Sequence, residues 1–207
     1  MNTPGIEFDE RVRRAMDKWP DVPDCFDWLG LDVRGRWLIR GEVITHPTTV
    51  EYLARNYSHD AQGRWFVQNG PQRVFCELEY TPWVYFLQPD LSLLSHTKAA
   101  AGEINRIIVD DAGDLLIDAR LGPGVLYDRD LGQLVAALDV PVNDGRSIEE
   151  LLSFTAHDSQ TPSRVLMAND EIPIESLDRQ DVAAHFGYQS RPRPRATDSA
   201  QSIQVPE

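Results

Sequence analysis

Alternating hydrophobic and polar residues mark the clearest element of the chain, a strand over residues 73–80. Val74, Cys76, Leu78 and Tyr80 occupy every second position, so they would share one face of a β-strand and point into a core. The opposite face would then carry the residues between them, which are Arg73, Phe75, Glu77 and Glu79.

A second β-rich run, residues 63–68, precedes this strand, and Asn69-Gly70 separates the two runs. Both central residues of the favoured two-residue hairpin turns need positive φ, which Asn and Gly tolerate best. The pattern therefore predicts a hairpin that turns at Asn69-Gly70. Pro71 has no N–H to donate, so it must begin the second strand or face outward.

The motif Asp-x-x-Gly-Arg-Trp occurs twice, at residues 32–37 and 60–65, and a weaker third copy lies at residues 110–115. We interpret each copy as a turn in which the Asp side chain accepts backbone N–H bonds and the Gly takes the left-handed conformation. A strand would follow each turn.

Residues 8–19 and 48–57 have the 3.6-residue periodicity of amphipathic helices, and Pro47 suits the first turn of the second one. Ser147 and Glu150 form a capping-box pattern, and a further helix over 178–186 would end at Gly187. A short helix is predicted for residues 128–138. Further strands are predicted at 26–31, 104–109, 114–119, 125–127 and 164–167.

These elements predict an α+β fold in which short antiparallel strands form repeated hairpin units and helices pack on them. Residues 1–87 would form an N-terminal helix and a hairpin-helix-hairpin unit, residues 88–103 a connector loop, and residues 104–188 a C-terminal α+β half. Residues 189–207 would be a disordered tail, although Arg191, Arg193 and Arg195 could instead form a docking arm.

The formal net charge of −13 argues against binding to nucleic acid, which depends on an excess of Lys and Arg. No apolar stretch is long enough to cross a bilayer, and the N-terminus lacks the features of a signal peptide. We therefore expect a cytoplasmic protein that does not associate with membranes, with reduced thiols at Cys25 and Cys76.

No sequence motif indicates a metal or a cofactor. The five histidines lack ligand spacing, and the chain contains no phosphate-binding loop, dinucleotide fingerprint or nucleophile elbow. A small hydrolase or transferase remains an alternative, because Glu77 and Glu79 would project from the same face of one strand and His46 could join them. Charged strand faces more often form structural ion pairs.

Our leading interpretation is a non-catalytic binding module for a small polar or anionic ligand, or for a protein partner. Trp28, Trp37, Trp65 and Trp83 lie within or beside the hairpin units, where indoles fill a core or line a pocket. Arg73 would hold an anionic or carbonyl group. The complete predicted site is Arg64, Trp65, Asn69, Gln72, Arg73, Glu79 and Trp83. A structural partner subunit with a broad apolar face is the other alternative.

Three segments resemble a proteobacterial family catalogued as a domain of unknown function: residues 18–23, residues 63–74 and residues 78–83. Residues 185–189 fit the same family. The order of Gly35-Arg36-Trp37, a helix at 48–57 and a strand ending at Trp83 is more distantly similar to a second bacterial family. That second resemblance implies an α+β fold with repeated motifs and a role in signalling, but neither resemblance implies a catalytic activity.

Overall fold

The structure is a computed structural model that describes residues 8–19, 22–141, 146–153, 163–168 and 170–194. Within these ranges the fold contains both helices and strands but is mostly β-sheet, with fourteen strands and five α-helices. The chain divides into two compact units. The first comprises residues 1–32, 36–79 and 187–207, and the second comprises residues 33–35 and 80–186.

The first unit contains one six-stranded sheet and two helices. In chain order its elements are α1 (Glu10–Lys18), β1 (Cys25–Leu31), β2 (Trp37–Ile39), β3 (Glu42–Val43), α2 (Pro47–Arg55), β4 (Tyr57–His59), β5 (Trp65–Asn69) and β6 (Gln72–Leu78). The strand order is β3-β2-β1-β6-β5-β4. Both predicted helices are confirmed, with Pro47 in the first turn of α2.

The second unit is built on an eight-stranded sheet of order β12-β13-β14-β9-β10-β11-β7-β8. Its strands are β7 (Trp83–Leu87), β8 (Leu93–Ser95), β9 (Ile104–Val109), β10 (Leu115–Ala119), β11 (Gly122–Leu126), β12 (Leu138–Asp139), β13 (Ser163–Met167) and β14 (Asp170–Ser176). Its helices are α3 (Leu131–Ala137), α4 (Ile148–Leu151) and α5 (Val182–Phe186), with a 3-10 turn at Asp128–Asp130. Ser147 and Glu150 form the predicted capping box.

Three strand pairs are parallel, which corrects the prediction of antiparallel strands throughout. They are β1 with β6, β11 with β7, and β14 with β9. The predicted connector is also corrected, because residues 88–103 contain β8, which pairs with β7. Short strands without alternation leave little signal in the sequence, since their pairing is decided by distant partners.

The repeated Asp-x-x-Gly motif forms the predicted turn in all three copies. Asp60 Oδ1 accepts the backbone N–H groups of Gln62 (2.9 Å) and Arg64 (3.1 Å), and Gly63 has a φ of +72°. Asp32 Oδ1 accepts from the Arg36 N–H at 2.8 Å. Asp110 Oδ1 accepts from the N–H groups of Ala112 (3.0 Å) and Asp114 (2.8 Å).

The carboxylate of each turn aspartate also accepts a hydrogen bond from an arginine side chain, but the arginine does not come from the same position in all three copies. Arg36 and Arg64 donate through Nε to the aspartate of their own turn, at 2.6 and 2.7 Å. The third copy has Asp114 at that position, and there Arg179 donates to Asp110 at 2.9 Å. A charge that the motif carries locally in two copies therefore comes from a distant segment in the third.

The hairpin between β5 and β6 is confirmed, but its turn is one residue later than predicted. Asn69 pairs with Gln72, so the two loop residues are Gly70 and Pro71. Gly70 takes the positive φ of +58°. Because Pro71 stands in the loop rather than in the ladder, its missing N–H costs no strand hydrogen bond.

The outer face of β6 is only partly exposed. Phe75 was predicted to point outward with Glu77 and Glu79, yet its side chain is buried. The Phe26 ring stacks on it with a centroid distance of 4.5 Å, and the Arg64 guanidinium lies 4.5 Å from the ring centroid. The acidic residues of the same face remain in contact with solvent.

The first part of the predicted disordered tail is ordered in the structure. The Gln189 N–H donates to the Gly63 carbonyl (2.9 Å), and the Leu78 N–H donates to the Ser190 carbonyl (2.8 Å). The Pro192 side chain is buried. We call residues 187–194 the C-terminal segment of the first unit. The rest of that prediction, residues 195–207, lies outside the described residues.

Candidate functional site

Two of the residues predicted to bind a ligand, Arg64 and Trp65, are buried in the first unit. Arg64 is paired with Asp60, and its Nη1 lies 3.4 Å from the Arg193 carbonyl oxygen. The Trp65 indole packs against Tyr57 and His59, with centroid distances of 4.8 and 4.7 Å. These contacts give both residues a structural role.

Arg73, Gln72 and Asn69 lie close together at the β5–β6 hairpin, as predicted. The Arg73 guanidinium donates to both carboxylate oxygens of Asp24, at 3.0 Å each. Gln72 Nε2 donates to the Pro23 carbonyl (2.9 Å). The side chains of Arg73 and Gln72 are thus already engaged within the unit.

The remaining two predicted residues lie elsewhere. Glu79 is exposed just after β6, in the first unit. Trp83 begins β7 in the second unit and is 1% exposed. The ligand-binding role of the seven residues stays a prediction, but within the first unit only Glu79 lines the cleft described next.

A cleft of about 400 Å³ lies on the outer face of β1, β2 and β6. At its floor, Gly30 stands between Leu38 on β2 and Glu77 on β6. Because Gly30 has no side chain, the pleated surface is concave at this point. The residues that line the cleft are Asp27, Trp28, Leu29, Gly30, Leu31, Asp32, Leu38, Arg40, Gly41, Glu77, Leu78, Glu79 and Arg191.

A bulge in β1 forms one wall of the cleft. The register between β1 and β6 shifts between Cys25 and Leu29, and Asp27 within this interval has a φ of +62°. Bulges redirect side chains and are common beside functional sites. Trp28 lies in the same interval and is 47% exposed although it belongs to a strand.

The turn between β2 and β3 forms the wall beside Trp28. Ile39 pairs with Glu42, so Arg40 and Gly41 are the two loop residues, with φ values of +49° and +83°. Positive φ at both positions is characteristic of a type I′ turn, in which Asn-Gly is strongly preferred. Arg40 therefore occupies a position where arginine is unfavourable. Its guanidinium lies 3.7 Å from the centroid of the Trp28 ring.

Most charges around the cleft are paired within the first unit. Arg36 pairs with Asp32 at 2.6 Å. Arg193 contacts both Asp27 and Glu77, the latter at 3.6 Å.

Two arginines lining the cleft differ from the others. Arg40 and Arg191 form no ion pair with any carboxylate of the described residues. Their guanidinium groups therefore keep their donors for another acceptor. This pair is the main electrostatic feature of the cleft.

The predicted acid–base alternative required a histidine beside the two glutamates. His46 precedes α2, and its Nδ1 lies 3.5 Å from Thr49 Oγ1. No hydrogen bond joins the His46 ring to Glu77 or Glu79, all three of which are described residues. Among all the residues that the structure describes, no three or more His, Cys, Asp or Glu side chains are grouped so that they could bind a metal ion.

The family model DUF2944, described as a protein of unknown function (DUF2946), matches residues 8–193. The chain belongs to this family. The predicted resemblance to a family of unknown function is thereby confirmed, and the DUF2944 match includes every residue that lines the cleft.

Other comparisons with the DUF2944 chain give weaker similarities. No curated protein matches it. A DUF1285 family protein from Silicibacter pomeroyi DSS-3 is 15% identical, with a TM-score of 0.49 over 75% of this chain and 85% of the other. A DUF1285 family protein from Shewanella baltica OS155 is also 15% identical, with a TM-score of 0.41 over 53% of this chain and 91% of the other.

Among the described residues, none of the helices combines the length and the apolar composition needed to cross a membrane.

The sequence contained part of the signal for the cleft. Trp28 was one of the four tryptophans for which the sequence left both core filling and a binding pocket open. The β2–β3 turn was not singled out, although Arg40-Gly41 between two short apolar runs has the length of a hairpin loop. The bulge that turns Trp28 outward depends on the pairing of β1 with β6, whose paired residues are 47 to 49 positions apart along the chain.

Proposed function

We propose that this protein is a non-catalytic binding module that holds a small anionic ligand in the cleft on β1, β2 and β6. The carrying observation is that Arg40 and Arg191 line the same cleft and form no ion pair within the described residues. Arginine favours carboxylate and phosphate groups because its planar donors can bind two oxygens together.

The conformation of Arg40 supports this proposal. A non-glycine residue at positive φ costs of order 1–3 kcal/mol, and such residues cluster at functional sites. Asn would fit the same turn position better. A long cationic side chain at this position therefore indicates a requirement other than folding. Its contact with the exposed Trp28 indole orients the guanidinium at the cleft wall.

The dimensions also fit a small molecule. Ligand pockets of proteins occupy roughly 300–1,000 Å³, and the cleft falls at the lower end of this range. The proposed ligand is still a small anion, as predicted from the sequence. We now assign its binding to Arg40 and Arg191 instead of Arg73. The cytoplasmic location and the sensing role inferred from the sequence remain part of this proposal.

We expect Arg40→Asn to abolish anion binding while raising the stability of the free protein by roughly 1 kcal/mol, because Asn tolerates the left-handed turn. Binding would be measured by calorimetry and thermal shift with inorganic phosphate, citrate and AMP. A probe at 100 times its Kd should stabilise the wild type by about 2.7 kcal/mol. Arg120→Asn is the matched control, since Arg120 is an exposed arginine of the second unit.

Two results would contradict this proposal. One is an absence of binding by all three anions to the wild-type protein. The other is binding of equal strength by the wild type and Arg40→Asn. Tryptophan fluorescence gives an independent signal, because an anion that draws Arg40 away from the Trp28 ring should change its emission. Trp28→Phe should remove that change.

We expect Gly30→Ala to weaken binding severalfold without disturbing the fold. A Cβ at Gly30 would lie 3.6 Å from the Glu77 carbonyl oxygen and 3.7 Å from Leu38 Cβ, which are ordinary contacts. The added methyl therefore raises the floor of the cleft without a clash. Gly132→Ala in α3 is the control, because a Cβ there meets no atom within 4 Å. Unchanged affinity in Gly30→Ala would place the ligand outside the cleft.

A further inference from the structure

The C-terminal segment brings charge to the cleft from outside the sheet. Its two arginines differ: Arg191 lines the cleft and forms no ion pair within the described residues, whereas Arg193 contacts Asp27 and Glu77. Asp27 and Glu77 both line the cleft: Asp27 lies on β1, the strand of Gly30, and Glu77 lies opposite Gly30 on the neighbouring β6. The Arg193 guanidinium is therefore in contact with two of the carboxylates that line the cleft.

We propose that Arg193 sets the charge preference of the cleft. By offsetting part of the negative charge of Asp27 and Glu77, it allows Arg40 and Arg191 to attract an anion; without it, the same cleft favours an organic cation. This inference rests on the proposed function, because it assigns the specificity of the same site.

The balance of charges supports this assignment. The cleft is lined by four carboxylates, Asp27, Asp32, Glu77 and Glu79, and by two guanidinium groups, Arg40 and Arg191. Arg36 and Arg193 contact three of these carboxylates from outside the lining. With both arginines present the charges balance. Without Arg193, four carboxylates face three guanidinium groups, so the cleft becomes net negative beside Asp27 and Glu77.

The anchoring of the segment does not depend on Arg193. Backbone hydrogen bonds hold Gln189 to Gly63 and Ser190 to Leu78, and Gln189 Nε2 also donates to the Gln62 carbonyl (3.0 Å). The Arg193 side chain itself is 56% exposed. Exposed ion pairs contribute little to folding, so changing this side chain should leave the segment in place. Its effect should appear in binding rather than in stability.

The backbone of Asp27 gives the ion pair a fixed position. Asp27 lies in the β1 bulge with a φ of +62°, a conformation that Asp and Asn adopt more readily than most residues. Asp27→Asn should therefore remove the carboxylate without refolding the bulge. Together with Glu77→Gln it removes both carboxylates that Arg193 contacts, so that neither is left without a partner when Arg193 is replaced.

The test compares the wild type, Arg193→Gln and the triple variant Arg193→Gln/Asp27→Asn/Glu77→Gln in the full chain. The probes are citrate for anions and L-arginine methyl ester for cations, measured by calorimetry at low and high salt. In Arg193→Gln we expect citrate affinity to fall roughly three- to tenfold at low ionic strength and the difference to shrink at 1 M salt. The cation should bind Arg193→Gln more tightly than the wild type. The triple variant should recover citrate binding.

The outcomes separate the two proposals. If the wild type binds citrate and Arg193→Gln binds it equally well, the role of Arg193 is overturned and the anion site stands. If the wild type binds no anion, the anion site is overturned, and the cation measurement still decides the role of Arg193. In that case, an Arg193→Gln variant that folds normally but binds the cation no more tightly than the wild type would contradict the role of Arg193. Hydrogen exchange at the Leu78 amide verifies in each variant that the segment is docked.

Discussion

Replacing Gly63 by alanine should detach the C-terminal segment and lower the free energy of unfolding by about 3 kcal/mol or more. A Cβ at Gly63 would lie 2.0 Å from the Gly187 carbonyl oxygen and 2.9 Å from Tyr188 Cα. Both atoms belong to the backbone, so no side-chain rotation relieves the overlap. Gly63 also has a φ of +72°, which adds the cost of a left-handed alanine.

Urea unfolding and hydrogen exchange would measure these two effects. The amides of Gln189 and Leu78 report on the docked segment, because they donate to Gly63 and Ser190. Gly113→Ala is the matched control. Gly113 occupies the same place in the third turn copy, with a φ of +84°, but a Cβ there meets no atom within 4 Å.

The free energy of unfolding of Gly113→Ala should fall only by the roughly 1–2 kcal/mol that an alanine in the left-handed conformation costs. Hydrogen exchange of its Gln189 amide should be the same as in the wild type. Equal losses in the two variants would show that the close approach of the segment to Gly63 does not contribute. Because Arg191 lines the cleft, Gly63→Ala should also weaken binding of the anion. This loss would occur without any change to a residue of the cleft wall.

Arg64→Ala should destabilise the protein by about 3–5 kcal/mol, the usual result of breaking a buried ion pair from one side. The side chains of Arg64 and Asp60 are only 5% and 11% exposed. Asp60 would keep its two backbone donors but lose the Nε–H that lies 2.7 Å from Oδ2. The contact of the guanidinium with the Phe75 ring would be lost as well.

Arg36→Ala is the comparison, because Arg36 occupies the equivalent position in the first turn copy. Its bond to Asp32 is as short, at 2.6 Å, but the Arg36 side chain is 52% exposed. The Asp32 side chain is 8% exposed, but it keeps the Arg36 backbone N–H and half of the lost guanidinium was already in water, so this variant should lose less than Arg64→Ala, about 1–2 kcal/mol. Chemical denaturation of both variants at pH 7 measures the difference. Similar losses at the two positions would mean that burial does not govern the strength of this motif.

The pH dependence provides a second check on the Asp60 pair. Burial tends to raise the pKa of Asp60, but hydrogen bonds from the Arg64 side chain and from the backbone N–H groups of Arg64 and Gln62 lower it below the ordinary value of 3.8. A lowered carboxyl pKa contributes stability above the unfolded-state value, and that contribution disappears as the pH falls through the folded-state value. The difference in the free energy of unfolding between the wild type and Arg64→Ala should therefore be constant near neutral pH. It should become smaller as the pH falls below 3.8.

Local chemistry explains what could be predicted of the fold. The turns at Asp32, Asp60 and Asp110 depend on an aspartate, a glycine and backbone groups within four residues, and all three form as expected. The capping box at Ser147 is equally local. The two N-terminal helices follow from periodicity along a single element. Each of these predictions needs no knowledge of a distant partner.

Less of the cleft could be predicted from the sequence, because its parts come from distant segments. Sequence reasoning selected Arg73 as an anion binder, but Asp24, 49 residues away, accepts both of its hydrogen bonds. It regarded residues 189–194 as unpacked, whereas backbone contacts with Gly63 and Leu78 hold this segment. Neither partner can be recognised from the chain around the residue itself.

The sequence by itself determined the turns, the main helices, most of the strands and the membership of a family of unknown function. Only the tertiary structure decided that β1 lies parallel to β6, that its bulge exposes Trp28, and that Arg40 and Arg191 line one cleft. The physical reason is the range of the interactions. A turn is stabilised by hydrogen bonds among neighbouring residues, whereas a cleft depends on which strands pair and on which charges those pairings leave without a partner.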